Sequence, residues 1–103
     1  MNFYKSKKWT SKRERILRRD EYMCQECKRY GKSTQAQTVH HIHQLEFNPE
    51  LALEGWNLVS LCNKHHDMMH ERAGHELTEL GKQWQERVRP QYERWKERNE
   101  QVN

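Results

Sequence analysis

Cys24-x2-Cys27 and Cys62-x2-His65 repeat one spacing on either side of a 34-residue interval. Two ligands three residues apart sit on one tight turn and offer half of a tetrahedral site. A pair of such turns must therefore be brought face to face by the chain between them. The protein has 103 residues, of which 33% are hydrophobic and 33% charged. A single domain of that make-up has a thin core and needs a staple. Its three cysteines cannot close a set of disulfides, and buried apolar thiols would not explain the matched spacing. A structural zinc ion contributes on the order of 10–16 kcal/mol of binding free energy to the folding of small domains. That would offset the thin core, and it suits a reducing compartment.

Helical phase selects the histidine that completes the set. The segment after Cys62 reads as a helix from Asn63 to a C-cap at Gly74. His66 and His70 are four apart on it, share one face, and could grip one ion or one phosphate together. His65 is turned about 100° away from His66, and its own partner one turn on is Met69. Cys24, Cys27, Cys62 and His65 are therefore the expected structural set, with His66 and His70 left for a second site.

Ser11-x-x-Glu14 has the form of a capping box and predicts a helix from Lys12 to about Arg19, burying Ile16 and Leu17. Lys28–Lys32 reads as a loop turning at Gly31. β-branched Thr38, Val39 and Ile42 predict a strand within Gln37–His43, and Asn57–Leu61 a second. Between them Gln44–Gly55 reads as a long loop with one helical turn, a length that often serves function. Leu77, Leu80, Trp84 and Val88 form an apolar stripe in a helical tail from Leu77 to Val102, kinked or restarted at Pro90 and carrying Tyr92 and Trp95. Packing of that stripe onto the small core is the favoured expectation, and a homodimer through the C-terminal helix the sharper alternative. The class is α+β, with a zinc-knuckled domain over 1–76 and a helical extension over 77–103.

Charge is segregated. Up to Lys32 there are 11 Lys/Arg against 4 Asp/Glu, and beyond it 8 against 11. A basic N-terminal third suits a polyanion such as a nucleic-acid backbone. Lys5, Lys7, Lys8, Lys12, Arg15 and Arg19 are the candidate phosphate contacts, with Phe3, Tyr4 and Trp9 either stacking on sugar or base or forming a hydrophobic anchor. No stretch approaches the roughly 18 apolar residues of a membrane span, and Met1–Thr10 has no signal-like apolar segment, so a cytoplasmic protein without membrane contact is expected.

His40-His41, Asn57 and His66 stand in the order and spacing of the HNH motif. With the two zinc half-sites they resemble the HNH homing-type endonucleases, whose ββα-metal (His-Me finger) core is a zinc-stapled treble clef. The stretch from Phe3-Tyr4 through Trp9 and Arg-x-x-Ile-Leu to Cys24-x2-Cys27 is similar to the bacteriophage HNH endonucleases encoded beside terminase genes. The likeness runs from about Phe3 to Gly74. It implies metal-dependent cleavage of DNA phosphodiesters, as nicks or double-strand cuts, in phage DNA processing and packaging inside the bacterial host, with terminase and portal proteins as partners. By position it makes His41 the general base, gives the catalytic cation to His40 and His66, and makes Asn57 the brace for the loop after the first strand. The alternative class is a treble-clef module that binds DNA without cutting it.

Two positions depart from the family pattern. His65 stands where many members have a fourth cysteine, which leaves an ordinary structural zinc set. His40 stands where many have aspartate, so a site of His40, His66 and His70 has no carboxylate and is similar to the all-histidine sites of nuclease colicins. Imidazoles favour Mn²⁺ or Ni²⁺ over Mg²⁺, which prefers oxygen, although Mg²⁺ stays possible. His70 is open between metal and scissile phosphate. His43 is expected to be exposed or hydrogen-bonded, and His75 to lie on the surface. Neighbours in a strand point to opposite faces, so His40 and His41 can serve one site only if the strand ends or bends there.

Overall fold

The computed structural model describes residues 2–71 and 76–100. The chain opens with a 3₁₀ turn at Phe3–Lys5 and enters helix α1, Lys7–Arg19. The cap is Ser6, whose hydroxyl accepts from the Trp9 backbone N–H at 3.2 Å. The helix thus starts well before the Lys12 that the Ser11 box predicts, and Ser11 lies inside it. The earlier start has a packing reason. It puts Trp9 two turns ahead of Ile16 on the same face, and both are buried.

After α1 the backbone turns through left-handed conformations at Glu21 and Tyr22, and Met23 bridges Gln35. This delivers Cys24 as the cap of helix α2, Gln25–Arg29, its sulfur accepting from the Cys27 N–H at 3.4 Å. α2 absorbs Lys28 and Arg29, which the sequence leaves in a loop, and the turn comes at Gly31 with φ +75° as expected. Strands β1, Thr38–His41, and β2, Leu58–Leu61, pair antiparallel, with Val39 opposite Ser60 and His40 opposite Val59. The loop between them holds one 3₁₀ turn at Pro49–Leu51, and another at Gly55–Asn57 leads into β2.

Helix α3 spans only Asn63–Asp67 and caps at Met68, so it does not run on toward Gly74. The chain instead reverses: His70 bridges Leu77, and Thr78 caps helix α4, Glu79–Arg87, by accepting from the Gly81 N–H. Leu77 is therefore outside the helix expected to contain it. The expected C-cap at Gly74, the surface position of His75 and the tail end at Val102 lie outside the described residues. Helix α5, Arg89–Glu100, restarts with Pro90 in its first turn, where its missing N–H costs nothing.

Two apolar clusters sandwich the sheet. Trp9, Ile16, Leu17 and Ala36 join Val39 and Leu58 on the α1 side. On the other side Cys24, Cys27 and Cys62 pack with Ile42, Val59, Leu61 and Met69, and the tail adds Val88, Leu80 and Trp84. The tail's stripe is thus used inside the molecule. Tyr92 of α5 lies on His43, ring centroids 4.5 Å apart, beside Trp56. Among the described residues no helix is long and apolar enough to cross a membrane.

Candidate metal centres and active site

Helix α2 and the start of α3 bring the two half-sites together as their spacing predicts. The ligand atoms of Cys24, Cys27, Cys62 and His65 all lie within 4.8 Å of one another, and no other such group occurs among the described residues. His65 Nδ1 is 3.6, 3.4 and 3.5 Å from the sulfurs of Cys24, Cys27 and Cys62, and Cys27 and Cys62 sulfurs are 4.0 Å apart. A tetrahedral ion with metal–sulfur bonds of about 2.3 Å and metal–nitrogen bonds of about 2.0 Å has edges of roughly 3.5–3.8 Å. The donor set therefore fits such an ion in both chemistry and size. Burial pushes the Cys24 thiol up. At Cys62 burial acts the same way, but backbone N–H groups of His65 and Lys64 and the neighbouring thiols outweigh it and bring that thiol down. An ion bound there must take thiolates, and the buried cage supplies the charge balance only with the ion in place.

Three other imidazoles meet on the α3 face of the sheet. The His40 ring lies 5.3 Å from that of His66 and 5.6 Å from that of His70, centroid to centroid. His65 and His66 thus serve different groups, as helical phase requires. His70 reaches its place from beyond the end of α3, through the bridge to Leu77, and not by the continued helix that the i, i+4 spacing suggested. Gln44 joins it there: the Gln44 side-chain Nε2 is 3.0 Å from His70 Nδ1. Burial, reinforced by the neighbouring imidazoles of His66, His70 and His41, pushes the His40 pKa down to about 3. His40 is therefore a neutral nitrogen donor at ordinary pH, the form in which imidazole binds a cation.

His41 points to the opposite face, as strand alternation demands. Its ring stacks on Trp9, centroids 5.0 Å apart at 24°, with Phe3 and Tyr4 closing the cluster. Its Nε2 donates to the Ala52 carbonyl at 3.0 Å, which leaves Nδ1 with the lone pair. Burial lowers its pKa, opposed by that carbonyl. β1 ends at His41 and the chain bends at Ile42 and His43.

Asn57 holds that bend. It is fully buried, its Oδ1 accepts from the His43 N–H at 2.6 Å, and its Nδ2 donates to the carbonyls of His43 and Leu51. His43 itself is half-buried under Tyr92, with its pKa lowered by burial.

The basic residues divide. Lys7, Lys8, Lys12 and Arg15 line an open groove on α1 together with Ser11 and Leu53, and Lys5 is exposed beside it. Arg19 is not a free phosphate contact. Its guanidinium holds both carboxylate oxygens of Asp20 and donates to the carbonyls of Gly55 and Leu58, at 2.9 and 2.7 Å. Asp20 in turn accepts from the Ser60 N–H. Arg19 thus brackets the turn that carries Asn57, a role that depends on contacts about 40 residues away along the chain and has no local signal. Gln44 and the Ala52 carbonyl were equally hidden. Trp9 was visible as an aromatic near lysines, and the structure makes it an anchor: it is buried, whereas Tyr4 is half exposed.

The sequence matches the family model described as HNH endonuclease over residues 24–72. The fold is similar to the crystal structure of an HNH endonuclease of the deep-sea thermophilic bacteriophage GVE2, which contains a manganese ion. The two chains are 38% identical, the match covers 63% of this chain and 71% of that one, and the TM-score is 0.62. No curated protein gives a significant match. With motif, fold and metal-ligand geometry in agreement, the chain belongs to the HNH endonuclease family.

Proposed function

We propose that the protein is a metal-dependent DNA endonuclease in which His41 activates water, His40 and His66 hold the catalytic cation, and Cys24, Cys27, Cys62 and His65 hold a structural zinc. One observation carries this reading. At the end of a single strand, His40 gathers with His66 and His70, while the next residue, His41, has Nε2 tied to a carbonyl and Nδ1 left basic. A phosphodiester is anionic and resists attack, so hydrolysis needs a cation to neutralise developing charge at the phosphoryl and leaving oxygens. His41 supplies the other half, taking a proton from water at Nδ1 while the Ala52 carbonyl fixes its ring. Asn57 keeps the strand end and loop in register, and the Lys7, Lys8, Lys12 and Arg15 groove, with Lys5, guides the DNA backbone.

The imidazole donor set supports Mn²⁺ or Ni²⁺ over Mg²⁺ as the working cation, and the phage relative's manganese points the same way. Likeness to a phage enzyme supports phage DNA processing as the setting, and the sequence resemblance extends this to packaging in the bacterial cytoplasm with terminase and portal proteins as partners. A plasmid-nicking assay across a panel of cations tests the chemistry. His41→Ala should lower cleavage by about 10²- to 10⁴-fold at unchanged zinc content. Equal activity of the two proteins would remove His41 as the base, no activity in either with intact DNA binding would favour a non-cutting module, and clear preference for Mg²⁺ would overturn the cation assignment.

A further inference from the structure

His41 is held against two surfaces. Its Nε2–H donates to the Ala52 carbonyl at 3.0 Å. Across its flat face lies the Trp9 indole, ring centroids 5.0 Å apart and planes inclined by 24°. Trp9 is itself well held. It is buried with Ile16, Leu17 and Val39, and Phe3 and Tyr4 pack against its ring at centroid distances of 5.3 and 5.6 Å. Its backbone N–H closes the cap of α1 on Ser6, so the indole is mounted on the first turn of that helix.

A hydrogen bond at Nε2 fixes the tautomer of an imidazole but leaves its plane loose. The outer torsion of a histidine side chain is broad, and turning it swings Nδ1 out of line while Nε2 stays near its carbonyl. A stacked ring removes that freedom, because the offset-stacked arrangement is favourable and a turned imidazole would drive its edge into the indole. An aliphatic side chain fills the same space without setting a plane. The carbonyl and the indole together therefore fix the direction in which the Nδ1 lone pair points.

We propose that Trp9 is a positioning residue for the cleavage reaction: its indole sets the plane of the His41 ring so that Nδ1 faces the attacking water. The proposal rests on the nuclease reading above, in which His41 is the base. In this role Trp9 acts only through His41 and does not touch the DNA. Its loss should therefore slow the chemical step and leave DNA binding as it was, since a base out of line costs rate and not affinity.

Cleavage of supercoiled plasmid with Mn²⁺ by the zinc-loaded full chain tests it, with zinc content, circular dichroism and the urea midpoint as checks on folding. Trp9→Leu and Trp9→Phe both shrink a buried side chain, so both should lower the urea midpoint. Trp9→Leu should lower kcat by about 10- to 100-fold with KM for the plasmid unchanged. Trp9→Phe, which keeps a flat ring, should recover most of that loss. In a His41→Ala background Trp9→Leu should take away nothing further, and a further fall there would overturn the proposal. So would wild-type kcat in Trp9→Leu, an equal fall in both variants that follows the urea midpoint, or a rise in KM alone, which would make Trp9 a DNA contact. NMR reads the geometry without an aliphatic variant. The His41 ring protons of wild type and Trp9→Phe should be shifted upfield by the stacked ring, and unshifted protons in wild type would overturn the proposal even where Trp9→Leu does not fold. If His41→Ala cleaves like wild type, the nuclease reading has the wrong base, and this proposal falls with it.

Discussion

His40 is 4% exposed beside two other imidazoles, and burial with those neighbours pushes its pKa down to about 3. In the unfolded chain it titrates near 6.5. Between those values the unfolded state binds a proton that the folded state refuses, so the stability from keeping His40 neutral is complete above about pH 6.5 and is lost as pH falls toward about 3. At saturating zinc, the urea midpoint of wild type should therefore fall more steeply from pH 7 to pH 4.5 than that of His40→Gln; parallel profiles would contradict it. Arg19 gives a second test. Removing its guanidinium leaves Asp20, 7% exposed, without its charged partner and frees the carbonyls of Gly55 and Leu58. Arg19→Gln should destabilise the fold by about 3 kcal/mol in chemical denaturation, with the salt dependence of DNA binding kept, whereas Lys12→Gln should leave stability alone and flatten that dependence. At this scale the grouping of Cys24, Cys27, Cys62 and His65 was legible because coordination needs particular atoms at particular spacings. The opposed faces of His40 and His41 were legible from strand alternation. Arg19, Gln44 and the Ala52 carbonyl were not, because each acts through partners distant in sequence.

Elements were legible as kinds more than as spans. Strand chemistry in Thr38–His41 and Leu58–Leu61 and the apolar stripe of Leu80, Trp84 and Val88 gave the right pieces. The ends went to competing caps: Ser6 took α1 from Ser11, and Thr78 took α4 from Leu77. α3 ended at Asp67 because the chain turns back to pair His70 with Leu77, a tertiary contact that no helical periodicity encodes. Gly81 shows what that reversal requires. A Cβ there would stand 2.7 Å from the Met69 carbonyl oxygen, a backbone atom, and 2.9 Å from the Leu77 side chain. Inside an ordinary helix Gly→Ala gains about 1 kcal/mol, but here the clash must push α4 off the segment that holds His70. Gly81→Ala should therefore destabilise the protein by about 1–3 kcal/mol, read as a lower urea midpoint, and a raised midpoint would mean that α4 does not pack this closely.

For the molecule as a whole, the question is whether the tail is an appendage. The likeness to HNH endonucleases and the matched residues 24–72 suggest a nuclease unit that could end near residue 76. The packing argues otherwise. Leu80, Trp84 and Val88 close the apolar cluster that contains the three cysteines. Trp84 Nε1 donates to Glu26 at 3.0 Å, and Glu26, 2% exposed between Cys24 and Cys27, is paired with Arg29. α4 thus covers the proposed zinc knuckle and satisfies a buried carboxylate on it, while Tyr92 of α5 shields His43 next to the bend held by Asn57. With so thin a core, zinc and tail should stabilise the fold together, since an ion that binds only the folded chain adds its binding free energy to folding. Chelation of the full chain should lower its melting temperature. A chain cut after Glu76 should hold zinc more weakly than the full chain and melt lower even at saturating zinc, with Trp84→Phe, which keeps an aromatic ring of smaller size and loses the hydrogen bond to Glu26, shifted in the same direction by a smaller amount. A truncated chain that holds zinc and melts like the full protein would make the tail separable and return the boundary to residue 76.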